Sequence, residues 1–256
     1  MKTKEEIVKD WLPRYTGRCL ADFSKHILLT NFDYYLELFA RKFQVPIVGL
    51  DKNMPNVSHN GITMVNFGMG SANAATILDL LSAVEPEAVL FLGKCGGIKS
   101  KQSVGDYILP IAAIKGEGTS NDYLPHEVPA LPAFNIQKTC SRAITDHGQE
   151  YHTGVVYTTN RRVWEFDENF KEYLLSTRAL AVDMETATIF TVGFANRIPT
   201  GALLLVSDQP MISDGIKTAE SDKEVTQNFV RQHLDIGIET INFIKEKNYS
   251  MRHLIF

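Results

Sequence analysis

The chain is poor in the features that would place it outside the cell, in a membrane or on nucleic acid. It has three cysteines in 256 residues, Cys19, Cys95 and Cys140. They are far apart, odd in number and outside any metal-ligand spacing, which excludes a disulfide-stapled scaffold or a zinc module and points to reduced thiols. No apolar run approaches the roughly 20 residues that cross a bilayer. The charged start MKTKEEIVKDWLP has no apolar stretch of the kind a secretory signal needs. The expected location is therefore the cytoplasm, with no membrane partner. Twenty-six Lys and Arg against 30 Asp and Glu give a net charge of -4, so there is no basic surplus to hold nucleic acid. The seven histidines are scattered without ligand spacing, and neither a metal nor another cofactor is expected.

What is present is the composition of a globular chain, 44% hydrophobic and 22% charged. The length suits one large α/β domain, here taken as residues 1–256. Apolar runs of strand length alternate with amphipathic stretches. Strands are expected at 26–32, 62–70, 87–97, 104–114, 151–159 and 200–210. Helices are expected at 34–43, 72–84, 134–148 and 165–176. ALAVDMETATIFTVGFANR (179–197) reads as a strand turning into a helix, and 117–132 as a loop rich in Gly, Asn, Asp and Pro. A single long amphipathic helix is expected over 221–247, with Val225, Phe229, Leu234, Ile238, Ile241 and Ile244 on its apolar side. This alternation predicts an α/β fold with a mostly parallel sheet covered by helices. Ligands of such sheets bind beyond the carboxyl ends of the strands.

Four clusters fall at those ends. Gly68-Met69-Gly70-Ser71 closes a strand and opens a helix, where glycines admit a close ligand and the helix start favours an anion; on this motif alone an ordinary tight turn is the plainer reading. Gly93-Lys94-Cys95-Gly96-Gly97 offers a lysine between glycines, with Cys95 read as a packing residue. Asp183-Met184-Glu185 can grip a sugar diol, or can simply cap the helix that follows. Ser207-Asp208-Gln209-Pro210 sets an acid at the end of a hydrophobic strand, a place where a general acid acquires a raised pKa, although a turn aspartate before proline is the plainer reading.

In that order, the motifs GMG, GKCGG, GDYILP, VDMETA and SDQP resemble the nucleoside phosphorylase superfamily over residues 26–245, whose members cleave N-glycosidic bonds with phosphate or water. The stretches NFGMGSANAATILDLL, YHTGVVYTTNRRVWE and LLVSDQPM, with the RHLIF tail, are most similar to its AMP nucleosidase branch. The resemblance implies a three-layer α/β/α architecture around a mixed, mostly parallel twisted sheet. It implies hydrolysis of AMP to adenine and ribose 5-phosphate, with Asp208 protonating adenine N7 and Glu185 holding the ribose hydroxyls. Met184 would pack on the sugar, Trp164 would stack on the base, and Gly70, Asn31 and Ser207 would complete the substrate contacts. Lys94, Arg161 and Arg162 are the candidates for the 5′-phosphate, with plain surface solvation the alternative for the two arginines.

Two departures from the family pattern carry expectations. Longer members add an N-terminal domain tied to regulation by ATP; only a short helix precedes the first strand here, so activation by ATP is not expected. Phosphorylases of this fold place an arginine on the strand before GxCG to hold inorganic phosphate, whereas this chain has Leu90-Phe91-Leu92, and their first-turn glycine is replaced within Thr30-Asn31-Phe32. Water is then the expected nucleophile. The rival readings are a purine nucleoside phosphorylase, a methylthioadenosine-type nucleosidase and a silent nucleotide-binding protein. Relatives on this fold form trimers or hexamers, so a homo-oligomer, a hexamer, is expected. The apolar YYLELFARKF segment suits an interface or the chain's own core equally.

Overall fold

The computed structural model describes residues 2–247; the RHLIF tail lies outside them. Sixteen regular elements follow in chain order: α1 (Lys4–Thr16), β1 (His26–Thr30), α2 (Asp33–Phe43), β2 (Asn56–His59), β3 (Ile62–Asn66), α3 (Ser71–Leu81), β4 (Ala88–Gly97), β5 (Tyr107–Gly116), α4 (Phe134–Asp146), β6 (Tyr151–Thr159), α5 (Glu168–Ser176), β7 (Ala181–Asp183), α6 (Thr186–Ala195), β8 (Thr200–Asp208), α7 (Ala219–Asn228) and α8 (Val230–Lys247).

The eight strands form one mixed sheet in the order β2-β3-β1-β4-β7-β6-β5-β8, and β4 also pairs in parallel with β8. That extra pairing closes β4, β7, β6, β5 and β8 into a ring, from which β1, β3 and β2 extend as an open wing. The ring was not expected from the sequence, because closure depends on long-range register and not on local pattern. The β4–β8 ladder runs from Val89↔Thr200 to Cys95↔Val206 and then slips, so that Gly96 faces Asp208. The irregularity falls where both strands reach the candidate residues.

Side-chain alternation along the strands sorts the core into two layers. Val89, Phe91, Ala202 and Leu204 pack with α1, α3 and α6 residues, among them Leu12, Leu78, Ile189 and Phe190. Leu90, Leu92, Leu203 and Leu205 face the other way, toward Leu36, Phe39, Ile144, Leu234 and Ile241 of α2, α4 and α8. This is the expected three-layer arrangement. The α2 segment serves that core, since Tyr35, Leu36, Leu38 and Phe39 are all buried within the chain.

Two expectations are corrected. β2, a short antiparallel partner of β3, gave no periodic signal in four residues. The helix expected over 221–247 is two helices broken at Phe229. Val225 before the break and Val230 after it are both buried in the core, about 140° apart were the helix continuous. The Phe229 ring lies against Gly105, whose φ of +101° also demands glycine. Within the expected loop 117–132, Thr119–Asp122 form a single 3-10 turn. No described helix is long and apolar enough to cross a membrane.

Candidate active site

The carboxyl ends of β4, β6, β7 and β8 open into a cavity of about 240 Å³. Asn31, Lys94, Arg161, Arg162, Trp164, Met184, Glu185, Ser207 and Asp208 all line it. Gly70 does not line it but takes part through its backbone: its N–H donates to Glu185 Oε1 at 2.7 Å. Gly70 holds φ +93° and ψ 162°, a conformation essentially reserved for glycine, and that geometry turns the N–H inward at the start of α3. Ser71 Oγ donates to the Met184 carbonyl at 2.6 Å, tying the same turn to the β7–α6 junction.

The two acids of the DME motif divide the alternatives left open by the sequence. Asp183 is the cap: it accepts from the Thr186 N–H at 2.7 Å, from the Thr186 hydroxyl, and from Thr158 Oγ1 at 2.6 Å. Glu185 is turned to the cavity, only 2% exposed, held by Gly70 and by the Asn31 side chain. Burial, and then the negative charge of Asp183, push its carboxyl up to about 8. Burial thus favours the protonated form of Glu185 in the free protein.

Asp208 ends β8. Burial on the apolar strand edge raises its pKa, while the Ser207 hydroxyl donating at 2.7 Å and the Lys217 and Arg162 charges oppose the shift. An acid of raised pKa facing a cleft is the arrangement expected of a proton donor. Cys95 is buried beside it with its thiol raised by burial, which leaves it without thiolate character. Trp164 lines the cavity with only 4% of its surface exposed. It packs edge-on against Phe170 (5.4 Å between centroids), so it is a fixed wall as well as an aromatic face.

The basic candidates are each already paired. Arg161 meets Asp167 at 2.6 Å and Arg162 meets Glu165 at 3.3 Å, both with half-exposed side chains. Lys94 is buried on β4. Its Nζ lies 3.0 Å from Asp222 Oδ1, 3.0 Å from Thr226 Oγ1 and 4.6 Å from the Phe32 ring centroid. Lys217 reaches the same Asp222 oxygen at 3.1 Å. Sequence reasoning missed Lys217, Asp222 and Thr226: Lys217 lies in an aperiodic loop, and the amphipathic pattern that predicted a helix over 221–247 gave no sign that its first turns reach the cavity. The one available signal was a lysine just past the SDQP turn. On β4, Leu90, Phe91 and Leu92 are fully buried in the core and offer the cavity no cation. No group of three or more His, Cys, Asp or Glu among the described residues is placed to hold a metal.

A sheet of this topology, with a glycine turn aimed at one carboxylate and a second acid at the end of β8, is the frame of a nucleoside-cleaving fold. The chain belongs to the phosphorylase superfamily, whose domain matches residues 26–242. It superposes on the crystal structure of AMP nucleosidase from Bacteroides thetaiotaomicron with a TM-score of 0.87 and 59% identity, covering 96% of this chain and 100% of that one. It is 30% identical to the AMP nucleosidase of Escherichia coli K12 over 91% of this chain, and spans 58% of that relative's length. Guanosine phosphorylase of Halorubrum lacusprofundi is 31% identical over 75% of this chain and 76% of its own length.

Proposed function

We propose that this chain hydrolyses the N-glycosidic bond of AMP, releasing adenine and ribose 5-phosphate. The observation that carries the reading is one cavity lined by two acids, the buried Glu185 and the part-buried Asp208, beside a β4 strand that supplies no arginine for a phosphate nucleophile. The similarity to two AMP nucleosidases supports the choice of substrate. Cleavage of C1′–N9 leaves cationic character on the sugar and negative charge on the purine. Asp208 donates a proton to adenine N7. Holding that proton near pH 7 from an ordinary pKa near 3.9 requires roughly three pH units of upward shift, and burial on the β8 edge shifts it in that direction.

Glu185 accepts hydrogen bonds from the ribose 2′- and 3′-hydroxyls, and its ionised form supports the cationic sugar. Met184 covers the sugar face, Trp164 the base, and Asn31, Ser207 and Gly70 hold the two acids in place. Arg161, Arg162 and Lys94 supply positive charge for the 5′-phosphate. The chain works as one catalytic domain in the cytoplasm, assembled as a homohexamer.

The test is adenine release from AMP, adenosine and methylthioadenosine, with and without inorganic phosphate. The expected outcome is ribose 5-phosphate as product, a rate independent of phosphate as a co-substrate, and AMP preferred by at least about 10³-fold in kcat/KM, the discrimination that two or three charge-assisted contacts provide. Formation of ribose 1,5-bisphosphate, or equal cleavage of adenosine, overturns the reading.

A further inference from the structure

Two ammonium groups in this cavity converge on one carboxylate that the reaction does not use. Lys94 comes from the floor of the sheet on β4, Lys217 from the loop after β8, and both touch Asp222 Oδ1, at 3.0 and 3.1 Å. All three residues line the cavity that holds Asp208 and Glu185. Lys94 is buried and the Asp222 side chain is 42% exposed. A buried ammonium needs a fixed anionic or polar partner, whereas a half-exposed aspartate has water as an alternative.

The start of α7 has support besides the Asp222 carboxylate. α7 is started by a capping box between Thr218 and Ser221, and Asp222 enters the helix through its backbone N–H, which donates to the Thr218 carbonyl at 3.0 Å. If Asp222 turned outward, Lys94 would keep Thr226 Oγ1 and the Phe32 ring. Its ammonium would stay in place, facing the cavity. The arrangement is a two-lysine cradle filled by an oxygen anion from the protein's own chain.

We propose that Lys94 and Lys217 form a phosphate-binding subsite of this cavity, and that Asp222 is its internal competitor, occupying the cradle until a phosphate dianion displaces it. A dianion between two ammonium groups is better matched in charge than a single carboxylate, and its three terminal oxygens can meet Lys94, Lys217 and Thr226 together. The dianion is either the 5′-phosphate of the nucleotide or free inorganic phosphate. The first case rests on the AMP nucleosidase reading; the second does not.

The test turns on a sign. Asp222→Asn keeps the size and the helix but removes the competing charge. Binding is measured by calorimetry with AMP and, separately, with inorganic phosphate, on full-length protein carrying Asp208→Asn to prevent turnover. Asp222→Asn is expected to tighten binding of one of them on the order of tenfold, the equivalent of about 1.4 kcal/mol. Tighter AMP with unchanged adenosine identifies the 5′-phosphate as occupant; tighter inorganic phosphate alone identifies the free ion. Adding Lys217→Gln should abolish the gain in either case.

An ion pair that merely props the site open predicts the reverse, weaker binding in Asp222→Asn. That result, or no change with both probes, overturns the proposal. A circular dichroism melt of each variant separates loss of fold from loss of site. Because calorimetry needs no catalysis, a protein that fails to cleave AMP but binds phosphate more tightly without Asp222 would discard the proposed reaction and keep the subsite.

Discussion

The inner wall of the cavity and its rim are built on different terms. On the wall, Glu185 and Asp183 are almost completely buried, and backbone N–H groups and threonine hydroxyls from α3, β6 and α6 hold them. At the rim, Arg161, Arg162, Lys217 and Asp222 are partly exposed and held by pairwise ion contacts. Donors fixed by the backbone are oriented before any ligand arrives and need no rearrangement when charge develops. Exposed ion pairs contribute little and exchange partners readily. The wall is thus suited to the chemistry, and the rim to recognising an anion that comes and goes.

The sharpest way to break this contrast is at the acid on β8. Asp208→Asn should lower turnover of AMP by about 10²–10⁴-fold while leaving the thermal transition in place, measured by adenine release and calorimetry. A variant near wild-type turnover would move the chemistry elsewhere.

Next in size is Glu185→Gln. The expected loss in kcat/KM for AMP is about 10–100-fold, the equivalent of one charge-assisted hydrogen bond to the sugar. Its stability should change in the opposite direction. Glu185 holds its proton up to about pH 8 when folded, against a reference value of 4.5. Between those values the unfolded chain has released the proton and the native state has not, so this carboxyl costs stability as pH rises through the window. The amide introduced by Glu185→Gln cannot titrate. Relative to wild type, the variant should therefore melt higher at pH 9 than at pH 5, and an identical difference at both pH values would refute the buried, protonated glutamate.

The smallest effect belongs to the rim. Arg161→Ala and Arg162→Ala break exposed pairs and should shift stability by no more than about 1 kcal/mol each. Where either arginine meets the phosphate, AMP cleavage falls while adenosine cleavage holds; a parallel fall of both substrates would make that arginine part of the wall's support.

The same division governs how much could be read from the sequence. The wall was legible because glycine turns, buried strands and acids at strand ends leave local marks: GMG, LFLGKCGG, AVDMETA and LLVSDQP each placed a residue at the cavity. Which acid of DME caps the helix and which faces the ligand was not legible, since it depends on where Thr158 of β6 and Gly70 of α3 arrive from a distance. The rim was nearly invisible. Lys217 lies in an aperiodic loop, and Asp222 sits in a helix whose pattern marks its apolar side but not the long-range contact of its polar side with Lys94. The ring of five strands was missed for a related reason, as the β4–β8 pairing joins residues more than 100 positions apart.

That ring decides how copies of this chain can meet. A sheet that ended at β8 would present a row of unpaired N–H and C=O groups, a template for strand addition by another molecule. Pairing β8 back onto β4 removes that edge. The sheet's other end is β2, four residues long, whose Asn56 is engaged on its open side by a backbone bridge to Val48. The β5–β8 closure is itself short, with only Tyr107 and Ile108 of β5 paired to β8. The closed end of the sheet therefore favours contacts between copies through side chains over extension of the sheet by an added strand.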